Sequence, residues 1–152
     1  MTIYTNPDKI LRQPSIEINP DELKNGSLQA FMADMALTMS KKDGVGLAAP
    51  QVGKNLRVIV VSYQDGVLTL ANPKLIKKSW KKVWDEEGCL SVPKTFGQVK
   101  RHRRVRCEFF DKDGNKKTLD CEGLLARVVQ HEIDHLDGIL FIDKAKDIVE
   151  VD

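Results

Sequence analysis

The 152-residue chain sets 24 Lys and Arg against 22 Asp and Glu, and a net charge of +2 is too small to argue for nucleic acid. With 41% hydrophobic and 30% charged residues it reads as an ordinary soluble globular chain, one domain over residues 1–152 with length enough for a real core. No apolar run is long enough to span a membrane, no signal-peptide pattern opens the chain, and three cysteines suggest no disulfide framework, so a reducing, cytoplasmic setting is expected.

Pro7, Pro14 and Pro20 make residues 1–20 an irregular arm. Asp21 is placed to cap a helix starting near Glu22, but Gly26 interrupts it, so the main helix is expected from Ser27. Leu28, Phe31, Met32, Met35, Ala36 and Met39 then recur at helical spacing and read as core packing, and Asp43-Gly44 ends the helix. The small residues of Gly44-Val45-Gly46-Leu47-Ala48-Ala49-Pro50-Gln51-Val52-Gly53 let a backbone or ligand approach closely, without the spacing of a phosphate loop or a dinucleotide fingerprint. Leu56–Tyr63 reads as a buried strand that Gln64-Asp65-Gly66 turns into a second, Val67–Ala71. A further strand is expected over Leu75–Val83. Val99–Phe110 and Lys116–Cys121 flank the hairpin signal Asp111-Lys112-Asp113-Gly114-Asn115, and the basic run Lys100-Arg101-His102-Arg103-Arg104 reads as the solvated start of the first of them. The period then changes, and Leu124, Leu125, Val128, Val129 and Ile133 mark a helix ending at Asp137-Gly138. After Phe141 a short acidic tail remains. Many strands, with the main helices near the start and the end, give an α+β fold.

The last of these helices carries His131-Glu132-Ile133-Asp134-His135, an H-E-x-x-H pattern. Positions i and i+4 share a helix face, so the two imidazoles can offer nitrogens to one metal ion, with Glu132 beside the first. Two nitrogen donors and an adjacent carboxylate are the minimal kit for metal-assisted hydrolysis. A catalytic site usually takes a third protein ligand. Cys89, in Glu86-Glu87-Gly88-Cys89-Leu90-Ser91-Val92-Pro93, is the best candidate on spacing, by a modest margin. Cys107 and Cys121 compete, although both lie in strand-like patterns where a lone Cys is more often a small buried hydrophobe.

Three segments, GVGLAAPQVG, EGCLSVP and QHEIDHLDG, occur in this order and resemble the signature motifs of peptide deformylase. The flanks match as well: the Pro-containing arm, Asn72-Pro73, Gly123-Leu124-Leu125-Ala126-Arg127 and Leu140-Phe141. The resemblance covers residues 3 to 143. It implies mixed and antiparallel β-sheets surrounding a central helix that carries the H-E-x-x-H motif. It implies a metal-dependent hydrolase that removes the N-formyl group from the formyl-methionine of new polypeptides. Cys89 joins His131 and His135 as an implied ligand of one divalent metal, expected to be Fe(II), with Zn, Ni or Co as substitutes. Glu132 is implied as general base, and the Gln51 amide and the Leu90 backbone N–H as oxyanion donors. Val45, Gly46, Gly88, Leu124, Arg127 and Val128 are implied to hold the substrate, with the methionine slot walled by the aliphatic stem of Arg127 while its charge reaches water.

Two departures from the family pattern stand out. Phe96 occupies the place of an Arg common a few residues beyond EGCLSVP, and the tail after Phe141 is short and acidic where some members carry a longer, often basic helix. Tail-mediated ribosome contact is therefore not expected; a transient encounter through other basic surface is. The partners expected are N-formyl-methionyl peptides, with no direct nucleic-acid specificity, no membrane, and a monomeric state. Two other readings remain open on the residues alone: an H-E-x-x-H metalloprotease using Asp143 or Asp147 as third ligand, and a closed, purely structural metal site.

Overall fold

The computed structural model describes residues 1–152. In chain order it holds helices α1 (Pro20–Lys24) and α2 (Gln29–Lys41) and strands β1 (Gly46–Ala48), β2 (Val58–Tyr63), β3 (Gly66–Lys78), β4 (Lys82–Cys89), β5 (Val92–His102), β6 (Arg104–Phe110) and β7 (Lys116–Glu122). Helix α3 (Leu124–Leu136) and strand β8 (Lys146–Glu150) follow. One sheet has the order β1-β2-β3-β6-β7 and the other β4-β5-β8. Pairing within both sheets is antiparallel, and the parallel component is an isolated bridge between Ile16 and Leu56.

Strand β2 shows why the layers form. Side chains alternate across a strand, and Val58, Ile59, Val60 and Val61 are all fully buried. Val58 and Val60 pack with Met32, Met35 and Met39 of α2. Ile59 and Val61 pack with Ala126, Val129, Ile133 and Leu136 of α3. The larger sheet therefore lies between two helices, and the methionine stripe is core. The smaller sheet supplies Val92 and Val99 to a third cluster with Leu11, Leu140 and Phe141, which closes the other side of α3. Each aliphatic side chain so buried stabilises by about 1.5–3 kcal/mol. That gain holds in place a helix on which Arg127, Gln130, His131, Glu132 and His135 are also buried, a costly placement unless each polar group finds a partner.

Local chemistry moved several expected boundaries. Asn19 rather than Asp21 caps α1, its side chain accepting from the Asp21 N–H at 3.0 Å with Pro20 in the first turn. Gly26, at φ +78°, separates α1 from α2, which starts two residues later than expected. The strands expected at Val67–Ala71 and Leu75–Val83 are one strand, β3, continued past Asn72-Pro73 by register shifts. Asn72 sits at φ 48° and clamps the N-terminal arm, accepting from the Ile18 N–H at 2.8 Å and donating to the Ile18 carbonyl at 2.7 Å. Val83 belongs to β4. The single strand expected over Val99–Phe110 is two, β5 and β6, broken at Arg103 as the chain passes from one sheet to the other. The acidic tail is also ordered: β8 pairs Thr95 with Glu150 and Phe96 with Val149.

Candidate metal centre and active site

Helix α3 presents His131 and His135 one turn apart, and the end of β4 brings Cys89 against them. Cys89 Sγ lies 3.3 Å from His135 Nε2, and one ligand atom from each of Cys89, His131 and His135 falls within 4.8 Å of the others. Cys107 and Cys121 are buried within β6 and β7, away from this group, and burial pushes their thiols up to about 12 and about 11. Neutral thiols at that depth are poor ligands. Asp143 is held by Arg12 and accepts from the Leu140 N–H at 3.0 Å, while Asp147 lies exposed in β8, so neither joins the histidines.

Beneath the histidines lies a buried ion network centred on Glu87, a residue to which the sequence reading assigned no role. Glu87 Oε1 accepts from His131 Nδ1 at 2.8 Å and from Arg101 at 2.9 Å, and its Oε2 accepts from Arg101 Nε at 2.9 Å and Arg127 at 2.6 Å. Arg101 also pairs with Asp134. Burial alone would raise the Glu87 pKa, but the His131 and Arg101 hydrogen bonds outweigh it and hold the carboxylate well below its usual range. A periodicity argument could have found it: Glu87 and Cys89 are two apart on one strand and share a face. Arg101 was hidden in a run read as solvated, yet it is 4% exposed. Arg127 corrects a further expectation. Its stem lines the cleft, but its charge does not reach water; it donates to Glu87, to the Val99 carbonyl at 2.9 Å and to the Val83 carbonyl at 2.8 Å.

These contacts suit the trio to a metal. A Glu87 carboxylate on Nδ1 fixes the tautomer of His131 so that the Nε2 lone pair is free, the usual outer-shell arrangement of a ligating histidine. Burial disfavours the charged form of His131, but Cys89 and Glu87 outweigh it and raise its pKa to about 10, a local demand for positive charge that a cation can meet instead of a proton. Burial, reinforced by the charges of His131 and Arg101, keeps His135 neutral as a ligand must be. Phe141 stacks on the His131 ring with centroids 6.1 Å apart. A thiolate with two imidazoles suits several first-row metals.

A cleft of about 530 Å³ opens above this group. Gln51, Cys89, Leu90, His131 and Glu132 line its depth, while Val45, Gly46, Gly88, Leu124, Arg127 and Val128 form its walls and lip. His135 alone of the expected site residues lies behind it. Burial pushes the Glu132 carboxyl up to about 7, and its Oε2 has no hydrogen-bond partner within the protein. Gly46 makes room for it: a Cβ there would stand 2.8 Å from Glu132 and from Val128. Gln51 is 1% exposed, so it is no surface residue. Its carbonyl accepts from the Ala48 N–H at 2.9 Å, which turns the amide to donate toward Ser91 Oγ at 3.1 Å and Cys89 Sγ at 3.5 Å. Leu90 sits in the tight turn between β4 and β5. The Phe96 ring covers Gly88, where a Cβ would come within 2.8 Å of it.

Comparison with known proteins bears on this cleft. The family model described as polypeptide deformylase matches residues 1–150. A peptide deformylase of Dictyoglomus thermophilum is 54% identical over 138 residues, covering 91% of this chain and 88% of that protein. A ligand-bound class I type b peptide deformylase from Acinetobacter baumannii superposes with a TM-score of 0.92 at 35% identity, over 95% of this chain and 98% of its own. A Synechococcus elongatus peptide deformylase in complex with actinonin has a TM-score of 0.88 at 38% identity, over 95% and 78% of the two chains.

Proposed function

The chain belongs to the polypeptide deformylase family, hydrolases that remove the N-formyl group from new polypeptides, and we propose that the cleft between β1, β4 and α3 is where it does so. In this reading residues 1–152 are one catalytic domain. Cys89, His131 and His135 hold one divalent ion, Fe(II) by preference, with Zn, Ni or Co able to substitute. When bound, such an ion lowers the pKa of water and polarises a carbonyl oxygen.

The remaining steps belong to side chains of the chain. Glu132 Oε2, buried and without a partner inside the protein, takes the proton of the attacking water and returns it to the departing peptide amine. The Gln51 amide, already aimed by Ala48, and the Leu90 N–H stabilise the oxyanion that develops on the formyl oxygen. The peptide lies extended between Val45-Gly46 and Gly88, pairing with backbone in the manner of an added strand. Its methionine enters the slot walled by Leu124, Arg127 and Val128. Formyl is the smallest acyl group, so a tight site above the metal excludes acetyl by size.

The substrates are N-formyl-methionyl peptides met in the cytoplasm, through at most a transient ribosome encounter, by a monomeric enzyme without membrane attachment. No helix of the chain is long and apolar enough to cross a membrane. The observation that carries this reading is the convergence of the three ligand atoms at one cleft beside Glu132, whose Oε2 has no partner within the protein. The test is Glu132→Gln. It should keep the wild-type metal content and lose formate release by about 10²-fold or more. Undiminished release would remove Glu132 as the proton carrier.

A further inference from the structure

The two places where the chain crosses directly from a strand of one sheet to a strand of the other lie side by side and make one basic corner. The β3–β4 connection reads Lys77-Lys78-Ser79-Trp80-Lys81-Lys82, and Arg103 joins β5 to β6. Ser79 locks them together. Its N–H donates to the Arg104 carbonyl at 2.8 Å, its hydroxyl donates to the Lys81 carbonyl at 2.8 Å, and its carbonyl meets His102 Nδ1 at 2.7 Å. The Arg103 N–H donates to the Lys81 carbonyl at 3.0 Å. The connection is thus a tied corner, and it presents Trp80 at 98% exposure.

Charge gathers around that indole. Segments 77–82 and 100–106 contain no acidic residue. Lys77, Lys78, Lys81, Lys82, Lys100 and Arg104 are exposed, and none has a carboxylate within ion-pairing distance. The nearby acids are already engaged, Asp120 with Arg106 at 2.7 Å and Glu122 near Arg103 at 3.8 Å. The chain as a whole carries only +2, so this corner holds more positive charge than the entire molecule nets and the remainder is negative. A field so polarised orients an anionic partner to one end.

We infer that this corner binds RNA, with the lysines and Arg104 on the phosphates and Trp80 stacked on an unpaired base. A cluster of cations alone would suit any polyanion. The fully presented indole at its centre narrows the choice, because bases offer flat faces to an aromatic ring and single-stranded or loop nucleotides leave those faces free. Stacking of this kind has little sequence preference, because every base offers a flat face. Strand β4 runs from this corner to Cys89, so the cleft lies roughly 20 Å away at a rise of about 3.3 Å per residue. Bound RNA would leave the cleft open, an arrangement that fits an enzyme of new polypeptides.

The test uses the full chain and a labelled single-stranded RNA of about 12 nucleotides. Binding should weaken steeply between about 50 and about 200 mM salt and should quench tryptophan fluorescence. Trp80→Ala should weaken it about tenfold. Exchange of Lys77, Lys78, Lys81 and Lys82 for Gln should weaken it sharply and flatten the salt dependence of what binding remains. Both variants should deformylate a short formyl-peptide at the wild-type rate, which also reports their folding. RNA binding unchanged in Trp80→Ala, or no tighter than that of dextran sulfate, would overturn the inference. So would a preference for vesicles of anionic phospholipid over RNA.

Discussion

Exchanging Glu87 for Gln keeps the shape of the side chain and removes one negative charge from beneath Cys89, His131 and His135. Glu87 accepts from Arg101 twice, from Arg127 and from His131, and these side chains are 4%, 10% and 10% exposed. An amide has one oxygen to offer and would face the guanidinium groups with its own N–H. Breaking a buried pair costs about 3–5 kcal/mol, because the surviving charge stays buried. Asp134 still meets Arg101 and backbone carbonyls still meet Arg127, so the lower end of that range, about 3 kcal/mol, is expected. For a chain of this size that lowers Tm by about 6–12 °C. His131 also loses the acceptor that fixes its ring, and metal affinity should fall by about 10–100-fold. Calorimetry on metal-stripped protein and competition with a chelator separate the two effects. A Tm within about 2 °C of wild type in the stripped protein, with unchanged affinity, would refute the claim that Glu87 holds this network and the histidine above it.

Gly46→Ala places a Cβ 2.8 Å from Glu132 and Val128. Displacing the carboxylate on this scale should cost about 10²-fold in kcat with metal content intact; kcat equal to wild type would show that Glu132 has room to spare. Asp111 gives a pH prediction. Burial would raise its pKa, but the N–H groups of Asn115 and Asp113 and the Lys117 ammonium lower it. A depressed carboxylate stabilises the fold above its unfolded pKa of about 3.9, and that contribution is lost as pH falls through the folded value. Asp111→Ala should therefore be less stable by about 1–2 kcal/mol at neutral pH, and its urea midpoint should converge on that of wild type below about pH 4. A gap that persists into acid would mean that packing, and not charge, is what Asp111 supplies.

The sequence was most legible where one period or one motif decides the structure. Helix α3 follows from Leu124, Leu125, Val128, Val129 and Ile133, and its two histidines share a face because the period demands it. Local pattern favoured Cys89 over Cys107 and Cys121 only by a modest margin, and the resemblance raised it from a candidate to a ligand. Two kinds of feature stayed hidden. Strand β8 has no alternation to read, because all five of its residues are exposed; pairing with β5, and not burial, makes it a strand. Continuity of β3 past Pro73 likewise depends on Asn72 adopting a positive φ and clasping Ile18, a contact with residues far earlier in the chain. Arg101 and Arg127 were misjudged for a related reason. Their charges are satisfied by Glu87, and a polar group's partner across the fold leaves no mark beside it in sequence.

The most direct test of the account is formate release from a formyl-Met-Ala-Ser peptide by protein purified without oxygen, stripped of metal, and reloaded with Fe(II) in steps. Release should rise with bound iron, level off at a single ion per chain, and be absent with the acetylated peptide. Fully loaded protein that releases no formate, or release that does not follow occupancy of the Cys89, His131 and His135 site, would contradict it.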